Sequence, residues 1–268
     1  MITSKKNPRI QLIRSLLQDR KSREETHLYI IEGVRLVEEA YAKSVDISDI
    51  FYCDSLSDRG KSLLDQFSHQ NIPVEKVDED VFLSIMDTAT SQGIAAICRY
   101  SKPTLPSNLD FLVLADQLRD PGNLGTLLRT AAAAGAQAVI TTHGSVDLYS
   151  PKVLRSAMGA HFHMVCMEMD WPQIMEEITP GTANGLTSYV AAADGKATCW
   201  ECDFTKPTLL IVGSEANGAS QQAFQFADCP VSIPMPGGFE SLNAAVAAGI
   251  LLFEVVRQRN SPIKKEIK

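Results

Sequence analysis

Two α/β layered domains in tandem, the second built on a mainly parallel sheet, are what this sequence predicts. Three observations carry that expectation. Short apolar runs of strand length alternate with stretches of helical period along nearly the whole chain. The stretch SKPTLPSN, residues 101–108, breaks the alternation with prolines, serines and no apolar period, which marks a domain boundary. Beyond it, runs such as FLVLA at 111–115 are apolar throughout, as in strands buried on both faces. The expected organisation is a first domain over 1–100, a linker over 101–108, a second domain over 109–260 and a tail over 261–268.

The first domain opens with Asn7 to Arg20, where Ile10, Leu12, Ile13, Leu16 and Leu17 recur near helical spacing with arginines between them. A strand follows at 27–31. Glu32 and Gly33 then lead into a helix to Ala42 with Val34, Leu36, Val37 and Ala40 inward. Strands are expected at 47–52, 74–77 and 93–100, with helices at 61–70 and 81–86. In the second domain, a strand at 111–115, a loop at 116–122, a helix at 123–135 and a strand at 138–142 form a βαβ unit. The loop at the C-terminal end of such a strand is the usual ligand position in open parallel sheets. The alternation continues with elements at 151–159, 163–166, 171–178, 188–191 and 209–213. Val231 to Ile233 ends a further strand, and Pro234 and Pro236 deny it more ladder donors. Gly237 and Gly238 allow a turn and a close ligand approach. From Ser241 to Val256 the chain is small and almost continuously apolar. That pattern predicts a helix packed against its own sheet, a partner subunit, or both.

With 268 residues, 45% of them hydrophobic, the chain can bury a substantial core. Its start is basic and amphipathic and lacks the apolar segment and cleavage site of a secretory signal. The apolar stretch of the last helix is too short to span a membrane. A cytoplasmic protein is therefore expected. The net charge of −7 argues against nucleic acid, yet residues 1–35 carry eight basic and four acidic side chains. A local basic face can bind RNA while the acidic remainder keeps the protein soluble, although a solvated helix face explains the same charges. Cys199 and Cys202 form one C-x-x-C, without the second pair or histidines that a structural zinc site needs; no metal is expected.

Three strand-end loops collect the polar residues. In the first, Asn123 reads as a helix cap, whereas Arg129, on an alanine-rich helix, calls for an anionic partner. In the second, IVGSEANG, Glu215 stands where a phosphate would sit and repels an anionic ligand, so it favours a cation or an arginine partner, or is a helix N-terminal acid. In the third, IPMPGGFESLN, Ser241 caps the final helix and Asn243 falls in its first turn. Neither the first loop nor the second matches the nucleotide-binding glycine fingerprints. A dinucleotide-dependent oxidoreductase also lacks its acidic ribose reader.

Taken together, NLGTLLRTAAAAGA, IVGSEANG and IPMPGGFESLNAAVAAGILLFE resemble the three ordered signature motifs of the SpoU/TrmH branch of the SPOUT RNA methyltransferases. PKVLRSAMGAHF, EGVRLVEEA and SQGIAAI are similar to that family too, so the likeness covers nearly the whole chain. The resemblance implies methyl transfer from S-adenosylmethionine to a ribose 2′-hydroxyl of RNA, ribosomal RNA before transfer RNA. It implies a trefoil knot in the second domain, which connection rules alone would reject. It also implies a homodimer whose site takes residues from both subunits. By motif position it makes Asn123, Arg129, Glu215, Ser241 and Asn243 the catalytic set, and Gly213, Ile233, Met235, Gly238 and Leu242 the cofactor contacts. The first domain is similar to the ribosomal-protein-like substrate domain of such enzymes; Lys5, Lys6, Arg9, Arg14, Arg23 and Arg35 are its candidate RNA contacts. The other class of function open to the same fold is a non-catalytic RNA-binding or ribosome-assembly protein.

Overall fold

The computed structural model describes residues 1–70, 72–86, 91–100, 103–178 and 186–260; the expected tail and the first two linker positions lie outside them. Contacts divide the chain into two units, Met1–Pro103 with Tyr149–His163, and Thr104–Leu148 with Met164–Lys268. The boundary expected near 101–108 is therefore joined by an excursion. Tyr149–His163, which the sequence reading places in the second domain, packs within the first unit.

In the first unit, α1 (Pro8–Gln18) and α2 (Arg20–Thr26) precede β1 (Leu28–Glu32), α3 (Val34–Ala42), β2 (Ile47–Tyr52), α4 (Asp58–His69), β3 (Val74–Lys76), α5 (Glu79–Leu83) and β4 (Ile94–Arg99). The single helix expected to Arg20 is two, because Asp19 leaves helical geometry. Its carboxylate accepts hydrogen bonds from the Lys21 and Ser22 amides and caps α2. The Ser22 hydroxyl, the largest influence, helps hold that carboxyl below the usual range. The sheet order is β1-β4-β2-β3, with β4 antiparallel to both neighbours and β2 parallel to β3. Side chains alternate between its faces, as the pleat requires. Ile30, Phe51, Ala95 and Ile97 pack on Ile10, Ile13 and Leu16 of α1 and Phe82 of α5. Tyr29, Ile31, Ile94 and Ala96 pack on Val34 and Val37 of α3 and on Leu63 and Phe67 of α4.

The second unit contains β5 (Phe111–Ala115), α6 (Pro121–Ala134) and β6 (Ala138–Thr142); α7 (Pro151–Ala157) follows in the chain and belongs to the first unit. Then come β7 (Val165–Met169), α8 (Trp171–Glu177), β8 (Thr187–Ala191), β9 (Ala197–Thr198), β10 (Thr208–Val212), α9 (Gln221–Phe226), β11 (Cys229–Ser232) and α10 (Ala244–Asn260). All pairings in its seven-stranded sheet, ordered β7-β6-β5-β10-β8-β11-β9, are parallel. Every residue of β5, β6 and β10 is buried, which accounts for their near-continuous apolar character. Among the described residues no helix is long and apolar enough to cross a membrane.

Candidate active site

The site begins at the C-terminal ends of β5, β10 and β8, where the sheet presents its strand ends to ligands. Helix α6 is capped by Asp120, whose carboxylate accepts from the Asn123 amide at 2.8 Å, and Pro121 occupies its first turn. Asn123 is therefore not the cap expected from the sequence, and its side chain is freed for other work. The Asn123 amide group donates to Glu215 Oε1 at 2.7 Å. Its own oxygen accepts from Asn243 Nδ2 at 3.0 Å. Asn243 in turn accepts from the backbone amides of Ala245 and Val246, at 3.0 and 3.2 Å. It is thus Asn243 that caps α10, in place of Ser241, because the helix starts at Ala244. A continuous relay now joins the three loops. It runs from the α10 N-terminus through two oriented amides to a carboxylate.

Behind the relay, the chain after β10 folds back on itself. Ser214 and Gly218 exchange backbone hydrogen bonds of 2.9 and 3.0 Å. A Cβ on Gly213 would stand 2.1 Å from the Ala219 nitrogen, so only glycine admits this close return. Asp116, fully buried at the end of β5, clamps the loop from below. It accepts from the Ser220 amide at 2.6 Å and from the Thr142 hydroxyl at 2.9 Å. The resulting hollow has a volume of about 370 Å³.

Four of the five expected cofactor contacts, Gly213, Ile233, Met235 and Leu242, line this hollow, as do Glu215 and Ser241. Gly238, at φ +73°, lines a neighbouring open depression that shares Ser241 with it. Arg129 is exposed on α6, and among the described residues no hydrogen bond or ion pair holds it. Asp116 was missed by sequence reasoning, as were Asp194, Phe224 and the Ala191–Ala193 stretch of the wall. The position of the last at the end of β8 is the signal that would have found it.

Among the described residues the lining carries two carboxylates, Asp194 and Glu215, and no lysine, arginine or histidine. A sulfonium cation with an uncharged nucleoside fits such a wall; a pyrophosphate does not. On charge, this wall argues against the dinucleotide reading. The Cys199 and Cys202 thiols lie elsewhere, and burial pushes Cys202 up to about 11, so at neutral pH it stays protonated and unreactive.

The candidate RNA contacts separate in the structure. Arg23 is 4% exposed and its guanidinium donates to the Leu16 carbonyl, so it closes the α1–α2 junction and is corrected from an RNA contact to a structural one. Arg9 is engaged by Asp49 at 3.1 Å and Glu75 at 3.3 Å. Lys5, Lys6 and Arg35 are exposed and Arg14 half-buried, none in an ion pair among the described residues.

Fold and site define a two-unit α/β protein: a parallel-sheet unit with an acid-lined hollow at its strand ends, and a smaller unit that carries solvent-facing cations. The model of the SpoU rRNA methylase family matches residues 110–253, and that of the MRM3-like substrate binding domain matches residues 7–96. The chain belongs to the SpoU rRNA methylase family, and it is an S-adenosylmethionine-dependent RNA 2′-O-methyltransferase. It is 34% identical to the 23S rRNA (guanosine(2553)-2′-O)-methyltransferase RlmP of Bacillus subtilis, covering 95% of this chain and 98% of that one. It is 32% identical to a 23S rRNA (uridine(2479)-2′-O)-methyltransferase of Streptomyces viridochromogenes, covering 97% and 93%. Among solved structures, an AdoMet-bound rRNA methyltransferase from Sinorhizobium meliloti superposes with a TM-score of 0.85 at 29% identity, covering 97% of this chain and 98% of that one.

Proposed function

We propose that this enzyme methylates a ribose in ribosomal RNA, working as a homodimer, with Asn123, Arg129, Glu215, Ser241 and Asn243 as its catalytic residues. The observation that carries the assignment is the Glu215–Asn123–Asn243 relay at the rim of an acid-lined hollow. When bound, S-adenosylmethionine supplies an already activated methyl group. The chain has then to hold the ribose oxygen in line and ease the loss of its proton. Glu215 keeps one oxygen on Asn123, and among the described residues its other oxygen takes no hydrogen bond, so it serves as an acceptor in the hollow. Arg129 keeps its charge throughout. Its role is to grip the phosphate next to the target ribose and stabilise the developing oxyanion. The exposed apolar stripe Val246, Ile250 and Phe253 on α10 supports the homodimer, and a partner subunit is the natural source of the surface that Arg129 faces. Lys5, Lys6, Arg14 and Arg35 supply charge for the RNA backbone. The knot implied by the family belongs to the same reading, as does a cytoplasmic setting.

Two relatives named for different nucleosides make base identity a matter for experiment. The test is to map ribose methylation in total RNA with and without the enzyme, and to follow methyl incorporation by the purified protein. One methylated ribosomal ribose is expected, lost by at least about 100-fold in Arg129→Ala while cofactor affinity by calorimetry is kept. Methylation confined to transfer RNA, or none at all, overturns the substrate; joint loss of cofactor binding overturns the role of Arg129.

A further inference from the structure

Three stretches of family-like sequence that the methyl-transfer site leaves unused meet at one cavity of the first unit. Glu32, Gly33, Arg35 and Leu36 come from EGVRLVEEA, Gln92 from SQGIAAI, and Arg155 and Met158 from PKVLRSAMGAHF. They line a hollow of about 410 Å³, within the range of small-ligand sites. The meeting is built by specific contacts. Gly33 has no side chain to cap α3, and Gln92 Oε1 does so instead, accepting from the Val34 amide at 2.8 Å. This leaves the two Gln92 N–H groups as donors. Gly159, at φ +87°, lets the turn after α7 approach α3 so closely that a Cβ there would stand 3.1 Å from Glu39 Cγ. His163 Nε2 lies 2.8 Å from Glu39 Oε1 and secures the same turn. Met158 is held in left-handed geometry at φ +49° with its side chain 51% exposed.

The α3 carboxylates beside the opening are engaged. Glu38 is taken up by Arg59 and Glu39 by His163. Arg35 is exposed and in no ion pair among the described residues, and Arg155 and Glu32 line the same hollow. Two guanidiniums, the Gln92 amide donors and an apolar wall of Leu36 and Met158 form a combination that fits a nucleotide of single-stranded RNA. Its phosphate meets the arginines and its base face lies on the apolar wall. We propose that this cavity is a second RNA-binding site, which captures a splayed nucleotide away from the methylated one. The proposal rests on the RNA reading above and adds to it a place and a set of residues.

The test uses the full-length protein and ribosomal RNA fragments, with binding measured over a range of salt and methyl transfer measured separately. Arg35→Glu is the leading variant, since its side chain is exposed on the surface of α3; Arg155→Ala is the second, and Lys61→Glu on α4 is the charge-matched control. Arg35→Glu should weaken RNA binding about tenfold and raise KM for RNA by a similar factor, with kcat and cofactor affinity unchanged. The slope of log affinity against log salt should fall by about 1 for Arg155→Ala. Arg35→Glu binding RNA as well as Lys61→Glu overturns the site. Absence of methyl transfer by the wild type on any RNA would instead count against the substrate reading, and the binding arm would still decide the cavity.

Discussion

Asn123 shows how a residue's role depends on where its helix begins. Taken as the start of α6, it reads as a cap; two residues inside the first turn it becomes the centre of the relay between Glu215 and Asn243. The Asp-Pro pair at 120–121 is the cap-and-first-turn signature that decides between the two, and it was legible in the sequence. Arg23 was not legible in that way. Its charge looks like its neighbours', and only the packing of α2 against α1 buries it. Asp116 lay hidden for the opposite reason, because an acid after a strand reads as an ordinary loop residue. Its two acceptor bonds make a prediction. Asp116→Ala leaves the Ser220 amide and the Thr142 hydroxyl without their acceptor, and should weaken cofactor binding by about 10- to 100-fold while RNA binding is unchanged. Asp116→Asn keeps an oxygen for Ser220 and turns an N–H toward the Thr142 oxygen, so it should recover most of the affinity. Equal loss in both variants, by calorimetry, would mean that the charge and not the clamp matters.

At the scale of elements, the sequence pattern located β2, β5 and β6 at their observed bounds, because each is a short stretch rich in apolar and β-branched residues closed by turn residues. It did not separate the faces of α10. The helix is apolar all round, yet Ala244, Ala248, Leu251, Leu252 and Val255 are buried while Val246, Ile250 and Phe253 are exposed. A run without contrast carries no phase, so only tertiary packing assigns its sides. The end of this helix is fastened by Arg259. It reaches Asp110 Oδ2 at 2.7 Å and the carbonyls of Phe204 and Lys206 at 3.0 and 2.8 Å, and it lies over the Phe111 ring. Arg259→Ala should lower unfolding free energy by about 2–3 kcal/mol in a denaturant titration. A loss under about 0.5 kcal/mol, the level of an ordinary surface change, would show that α10 is held by its apolar face alone.

For the molecule as a whole, the α/β class and parallel sheet were legible from alternation, but the strand order and the return of Tyr149–His163 to the first unit were not. Both depend on contacts between residues far apart in sequence, about which local pattern is silent. The same holds for what lies beyond one chain. Val246, Ile250 and Phe253, spaced four and three apart, form one stripe that is 52%, 40% and 49% exposed. Three adjacent apolar side chains in water are a cost that a partner helix removes. The stripe begins on the first turn of α10, whose cap, Asn243, is a member of the hydrogen-bonded relay to Glu215. An interface there would therefore hold the relay as well as the subunits. Ile250→Glu combined with Phe253→Glu places two carboxylates in that stripe without touching the buried face or the hollow. Sedimentation should shift from dimer to monomer, and methyl transfer should fall at least about tenfold as the charges are desolvated or the subunits part. A double variant that still sediments as a dimer would place the interface elsewhere, whereas a fully active monomer would show that each chain carries a complete site and that Arg129 works within its own subunit.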